Sequence, residues 1–186
     1  MKKIPYFILS YLFLLLFALP AHANNELNKE LLIAAKNENI QLAKTLLLHG
    51  ADINISDHNG NTPLDYAAAE GDEKMAELLI DKGANVNGKN GHISATPLNY
   101  AAFYGNEGMA ELLIDKGANV NAKDNYSSTP LFKAIQNNNR AIAKLLIDKG
   151  ADVNTKDTDG HTPLYYAIQR RLQEVTKLLI AHGAHQ

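Results

Sequence analysis

Apolar residues in this chain return in short clusters separated by polar, glycine-marked breaks. Met75, Leu78 and Leu79 fall at i, i+3 and i+4, which is one face of a helix. The run Leu-Leu-Ile-Asp-Lys-Gly-Ala occurs at Leu78 to Ala84, Leu112 to Ala118 and Leu145 to Ala151. Ahead of each helical face stands a shorter apolar segment that opens on Thr-Pro-Leu. These openings lie at Thr62, Thr96, Thr129 and Thr162, spaced by 34, 33 and 33 residues. Gly-Ala follows an apolar run at Gly50, Gly83, Gly117, Gly150 and Gly183, so five ends stand against four Thr-Pro-Leu starts. Self-similarity at a fixed period of this size predicts an array of stacked units.

Within a unit the local chemistry predicts two helices and a reversal. Thr62 suits a helix N-cap, and Pro63 suits the first helical position, where a missing N–H costs nothing. Leu64, Ala67 and Ala68 supply the inward side of a short first helix. Gly71 takes a positive φ to reverse the chain, and Gly83 closes the second helix. Asp-Ile-Asn, Asn-Val-Asn or Asp-Val-Asn then leads out along an extended connector toward a turn of the Asn59-Gly60 kind. Helices of roughly eight to ten residues are marginal alone in water, so each unit must borrow burial from its neighbours. The pairs Ala67-Ala68 and Ala101-Ala102 let adjacent helices approach closely.

The expected fold is an all-α, helix-turn-helix solenoid of about five repeats, at about 26–58, 59–91, 92–125, 126–158 and 159–186, the first and last acting as caps. The first unit is degenerate, with Lys29-Glu30-Leu31 in place of Thr-Pro-Leu, although Ala34-Ala35 and Leu46-Leu47 still align. The last carries Arg170, Arg171, Gln173 and Lys177, charges suited to solvating an open end.

Thr-Pro-Leu, the alanine pairs, Gly71 and Gly105, the Leu-Leu-Ile-Asp-Lys-Gly-Ala runs and the Val-Asn tails together resemble the ankyrin repeat family, over about Glu26 to Ala184. The resemblance implies a stack without a reaction pocket that binds proteins. The family pattern places histidine directly after Thr-Pro-Leu; here the position holds Asp65, Asn99, Phe132 and Tyr165, which predicts the loss of a recurrent hydrogen bond. The glycine two residues before the threonine is kept as Gly60 and Gly160 but is Ser94 and Ser127 in the middle units. The interhelical glycine is Asn138 and Arg171 in the last two. One extra residue falls within Gly88 to Ala95, so the middle connectors are expected to be the least regular part of the stack.

The resemblance also implies where a partner sits: the connector tips and the exposed end of each first helix. Transferred onto this chain, those positions put Ile93, Phe103, Tyr104 and Tyr126 where a solvated surface would be polar. Large aromatic anchors ringed by polar groups are the composition of binding hot spots. One expectation is therefore a central patch of these four residues, flanked by His58, Asn59, Glu70, Asp159 and Arg170. The other is that Phe103 and Tyr104 pack against Tyr126 or the irregular third connector. Alanine substitution separates the two, since only packed residues would lower melting sharply.

The first 23 residues follow a different pattern. Lys2 and Lys3 precede an apolar run of 16 residues from Ile4 to Leu19, then Pro20 and Ala21-His22-Ala23. This is the order of a secretory signal peptide with cleavage expected after Ala23. A retained membrane anchor is the alternative, but a helix of that length spans roughly 24 Å, short of a hydrocarbon core of ~30 Å. Domains are thus expected at 1–23 (signal peptide) and 24–186 (repeats), and the address is periplasmic or secreted. With the leader removed, 16 basic residues face 20 acidic ones, a formal charge of −4 that argues against nucleic acid. No cysteine occurs, which removes disulfides and a lipoprotein anchor.

No nucleophile has a recognisable setting, phosphate-binding glycine loops are absent, and Asp81, Asp115 and Asp148 repeat as surface positions. Asp157-Thr158-Asp159-Gly160 resembles the start of a calcium loop, yet position 168, where its bidentate glutamate belongs, is isoleucine; an Asx turn is expected instead. Tyr66, Tyr100 and Tyr166 share one first-helix position and are expected to pack between repeats. No catalytic residue, metal or cofactor is expected, and the chain is expected to be a monomer with a protein partner. Three function classes follow: a periplasmic adaptor, a secreted protein acting on another cell's components, and an enzyme with a non-obvious site. Presence in the culture medium separates the first two, and a hydrolase panel tests the third.

Overall fold

A computed structural model describes residues 21–185; the apolar run of the leader lies outside the described residues, while the expected cleavage point after Ala23 falls within the first turn of the first helix. Among the described residues ten helices follow one another as five hairpins: α1 (Ala21–Lys36) and α2 (Ile40–Leu48), α3 (Pro63–Glu70) and α4 (Glu73–Asp81), α5 (Pro97–Tyr104) and α6 (Glu107–Asp115), α7 (Pro130–Gln136) and α8 (Arg140–Asp148), α9 (Pro163–Gln169) and α10 (Gln173–Ala181). Among the described residues the only β pairing is an isolated antiparallel bridge between Asn90 and Ala95. The chain is an all-α repeat solenoid.

The first helices form one layer and the second helices another, and neighbours in the first layer approach each other more closely. Small residues explain this. Ala34, Ala35, Ala67, Ala68, Ala101, Ala102, Ala134 and Ala167 are all buried. Leucines and methionines of the second helices (Leu46, Met75, Leu79, Met109, Leu113, Leu146, Leu179) fill the space between the layers. At the open C-terminal end, Ile168 takes the position that Ala68 and Ala102 hold beneath a neighbour and remains 43% exposed.

Each Thr-Pro-Leu opens a helix as expected, with Pro at its start and threonine as an extended N-cap. The expected loss of a hydrogen bond after Thr-Pro-Leu is corrected for two units. Asp65 and Asn99 turn back to accept the N–H of Thr62 at 2.8 Å and of Thr96 at 2.9 Å, completing capping boxes. Phe132 at the same position is instead fully buried, edge-on to Tyr166 at 5.8 Å, and Tyr165 stacks on His161 at 3.9 Å.

The interhelical position keeps a positive φ whatever residue holds it: 80° at Gly71, 87° at Gly105, 59° at Asn138 and 55° at both Glu38 and Arg171. An L-residue other than Asn or Asp pays about 1–2 kcal/mol there. Replacing Arg171 with glycine is expected to stabilise the last hairpin by about 1 kcal/mol, read as a higher urea midpoint of the full chain.

Side-chain amides tie successive units together. Asn87 Oδ1 accepts the Asn119 N–H at 2.7 Å while its Nδ2 donates to the Gly117 carbonyl at 3.0 Å. Asn121 repeats this toward Asp152 and Gly150, and Asn154 toward His185 and Gly183. These are the asparagines of the Val-Asn tails. A second ladder uses residues that sequence reasoning did not single out: Asn106 Nδ2 donates to the carbonyls of Ala68 and Ala69, and Asn139 Nδ2 to those of Ala102 and Phe103. Both ladders satisfy backbone acceptors that helix ends leave free.

Candidate functional site

The connector tips are held by a recurring aspartate. Asp57 Oδ1 accepts the N–H groups of Asn59 at 2.8 Å and Asn61 at 2.9 Å, and its Oδ2 accepts the Tyr66 hydroxyl at 2.5 Å. Asp157 does the same for Asp159, His161 and Tyr166, at 3.0, 2.9 and 2.7 Å. The Asx turn expected at Asp157 is therefore present. Asp157, Asp159 and His161 bring ligand atoms within 4.8 Å of one another, but both oxygens of Asp157 already bind this turn and Tyr166.

In the fourth unit Asp124 accepts the N–H groups of Tyr126 and Ser128 at 2.8 and 2.9 Å, but the tyrosine position holds Lys133, whose Nζ lies 2.7 Å from Asp124 Oδ2. The expectation that the middle connectors are irregular is corrected here. This tip matches its equivalents, and Ser127 adopts a φ of 56° where Gly60 and Gly160 have 83° and 80°. Only the third tip departs. Asn90 replaces the aspartate, the chain bridges Asn90 to Ala95, and the Tyr100 hydroxyl crosses to Asn61 of the preceding unit at 2.8 Å.

Tyr66, Tyr100, Lys133 and Tyr166 thus form a row along the first-helix layer. Tyr100 separates two cavities. One, of about 220 Å³, is lined by Ile93, Ala95, Asn99, Tyr100, Phe103, Tyr104 and Lys133. The other, of about 190 Å³, is lined by Asn61, Asp65, Tyr66, Ala69, Glu70, Tyr100 and Tyr104. Burial, and then the charge of Asp65, push the Tyr100 hydroxyl up to about 12, so it remains a donor at neutral pH. The Tyr166 hydroxyl is likewise pushed up to about 12, first by its bond to Asp157 and then by burial.

Three of the four central residues expected from sequence meet here. Ile93, Phe103 and Tyr104 line one cavity, and the rings of Phe103 and Tyr104 stand edge-on at 5.0 Å. Phe103 and Tyr104 are 45% and 58% exposed. Tyr126 is 56% exposed but lines neither cavity, and its carbonyl accepts the Thr158 N–H at 3.0 Å. Of the flanking residues, Glu70 lines the second cavity. His58 is exposed and lines a separate hollow of about 530 Å³ with Ile33, Lys36 and Tyr66. Asn59 is half-buried in its tip turn, and Asp159 and Arg170 are exposed in the last unit, away from both central cavities.

Sequence reasoning missed Asp65, Tyr100 and Lys133 as lining residues. Lys133 was readable as the one break in the tyrosine register, four residues after Thr129.

Phe103 and Tyr104 are expected to contribute little to stability. Alanine at either position should lower it by about 1 kcal/mol or less, whereas Phe132→Ala, in the core, should cost about 3–5 kcal/mol in the same urea titration.

The family described as ankyrin repeats (3 copies) matches residues 11–90, 31–124, 90–157 and 123–186, so its matches together reach from residue 11 to the last residue. The chain is 38% identical over 58 residues to myotrophin of Xenopus tropicalis, covering 31% of this chain and 49% of that protein. It is 41% identical over 59 residues to the potassium channel AKT2/3 of Arabidopsis thaliana, covering 32% of this chain and 7% of the channel. It is 44% identical over 43 residues to the ADP-ribosylation factor GTPase-activating protein AGD4 of the same plant, covering 23% and 6%. The chain spans half or less of each of these relatives. Matched along its length by that family's pattern, and built of hairpins that bury their alanines against the next, four of them opening on Thr-Pro, the chain belongs to the ankyrin repeat family.

Proposed function

We propose that this chain is an exported, non-catalytic module that grips a protein partner through its connector tips and first-helix ends, with the centre of the contact at Phe103 and Tyr104. The observation that carries the reading is the exposed, edge-on aromatic pair beside two cavities on the first-helix layer. Exposed aromatics cost free energy in a protein that acts alone and return it when a partner covers them. Glu70 belongs to the same contact, and Ile93 forms its floor. Tyr126, His58, Asn59, Asp159 and Arg170 extend it toward the two ends. The basic and apolar order of residues 1–23 supports export, with a periplasmic adaptor as the first reading and a secreted protein acting on another cell as the second.

Affinity capture from the exported fraction tests the contact, comparing the wild-type chain with a Phe103→Ala/Tyr104→Ala/Tyr126→Ala variant of equal folded content. Loss of the same captured protein from the variant is expected; equal capture by both would sink the placement. Mass measurement of the exported chain is expected to give Asn24 as its first residue. An intact leader found with the membrane fraction would make the chain a tethered adaptor instead.

A further inference from the structure

Resting on that reading of the contact face, we propose that Tyr100 and Tyr104 form a shared wall between two side-chain sites of different chemistry: an acidic one that takes an arginine or lysine of the partner, and an apolar one that takes a bulky apolar residue close to it in the partner's sequence.

The acidic site is the cavity holding Asp65 and Glu70. Two carboxylates line it, and no basic residue does. Asp65 is 2% exposed; its Oδ2 accepts from Thr62, while its Oδ1 makes no hydrogen bond of full geometry and has only the influence of the Asn90 side chain. A buried carboxylate oxygen so incompletely supplied with donors is costly, and an incoming guanidinium or ammonium supplies what it lacks. Glu70 stands exposed at the rim, and Tyr66, Tyr100 and Tyr104 present rings. The same tyrosine row already accommodates a cation within the chain, since the Lys36 ammonium stands 5.7 Å from the Tyr66 ring centroid. The negative field is felt by neighbouring groups too: the charges of Asp65 and Asp57 both act to hold the Tyr100 proton in place.

Across Tyr100 and Tyr104 the chemistry reverses. Ile93, Ala95 and Phe103 supply apolar walls, and the one cation, Lys133, is committed to Asp124 at 2.7 Å. That site therefore asks for burial of carbon and not for an anion. Because two residues of this chain line both sites, a single short segment of partner can fill them together.

Phage-displayed random dodecapeptides, selected on protein purified after expression of the full chain, test this directly. Enriched peptides are expected to carry arginine or lysine within about three positions of an aromatic or large aliphatic residue. Synthetic copies are expected to bind at least ten-fold more weakly to Glu70→Gln/Asp65→Asn and to Phe103→Ala/Tyr104→Ala variants, both folded by circular dichroism. Peptides lost on Phe103→Ala/Tyr104→Ala but lacking a basic residue, or indifferent to Glu70→Gln/Asp65→Asn, would overturn the two-site assignment and leave the contact face standing. Peptides indifferent to Phe103→Ala/Tyr104→Ala, or no enrichment at all, would overturn both.

Discussion

Replacing Lys133 with methionine is expected to destabilise the protein by about 3–5 kcal/mol, as much as opening a cavity in its core. The Asp124 side chain is 0% exposed, and the Lys133 side chain is 12% exposed. Asp124 Oδ1 is satisfied by the N–H groups of Tyr126 and Ser128, but its Oδ2 depends on the Lys133 ammonium at 2.7 Å. Removing the cation leaves a buried charge with half its partners and loosens the tip that it organises. Lys133→Tyr supplies the discriminating control. Tyr66 and Tyr166 hold Asp57 and Asp157 through hydroxyls at 2.5 and 2.7 Å, so a tyrosine at position 133 is expected to restore stability to within about 1 kcal/mol of wild type. Urea unfolding of the three proteins decides it. A methionine variant as stable as the wild type would mean that Asp124 is satisfied in some other way.

Asp65→Asn is expected to act in the opposite direction, raising stability at pH 7.5 by up to about 3 kcal/mol. Burial pushes the Asp65 carboxyl from 3.8 up to about 6, against the lowering effect of its bonds to Thr62 and of the Asn90 side chain. The folded protein thus binds this proton more tightly than the unfolded chain does. The stability contributed by the proton is fully present below pH 3.8 and is lost as pH rises through about 6. Asparagine removes the charge and keeps the bonds to Thr62, as Asn99 does one unit later with the Thr96 N–H at 2.9 Å and hydroxyl at 2.8 Å, but its Nδ2 is left buried without an acceptor, as at Asn99, and this offsets part of the gain. The advantage of the variant should therefore fade between pH 7.5 and pH 4. An advantage that stayed constant across that range would show that the carboxyl does not titrate as its burial requires. If the acidic cavity binds a basic side chain, the same substitution improves folding and weakens binding, which is the usual direction of compromise at a functional position.

The scaffold was legible in the sequence because stacking forces repetition. A threonine that caps, a proline that fits only the first turn and alanines that must pass close to a neighbour are each required once per unit, so they recur at fixed intervals. The proposed contact face was legible only in part, for the complementary reason. Phe103 and Tyr104 stood out as apolar residues at solvent positions. Lys133, Asp65 and Tyr100 stood at positions that read as scaffold, and their chemistry depends on what the fold brings beside them: Asp124 nine residues away, Thr62 at the cap, and Asn61 across the unit boundary. The bonds made by Asp65 and Asn99 are invisible to a pattern built on histidine, although a carboxylate or amide at that place closes the same ring with the threonine.

Asn87, Asn121 and Asn154 each reach forward only to the hairpin that follows, and in the same way. A whole unit copied in tandem would find its incoming and outgoing partners already in place, with no backbone group orphaned at either seam. Gene duplication can therefore lengthen such a protein without redesigning it, while exposed first-helix side chains such as Phe103 and Tyr104 are free to diverge from copy to copy.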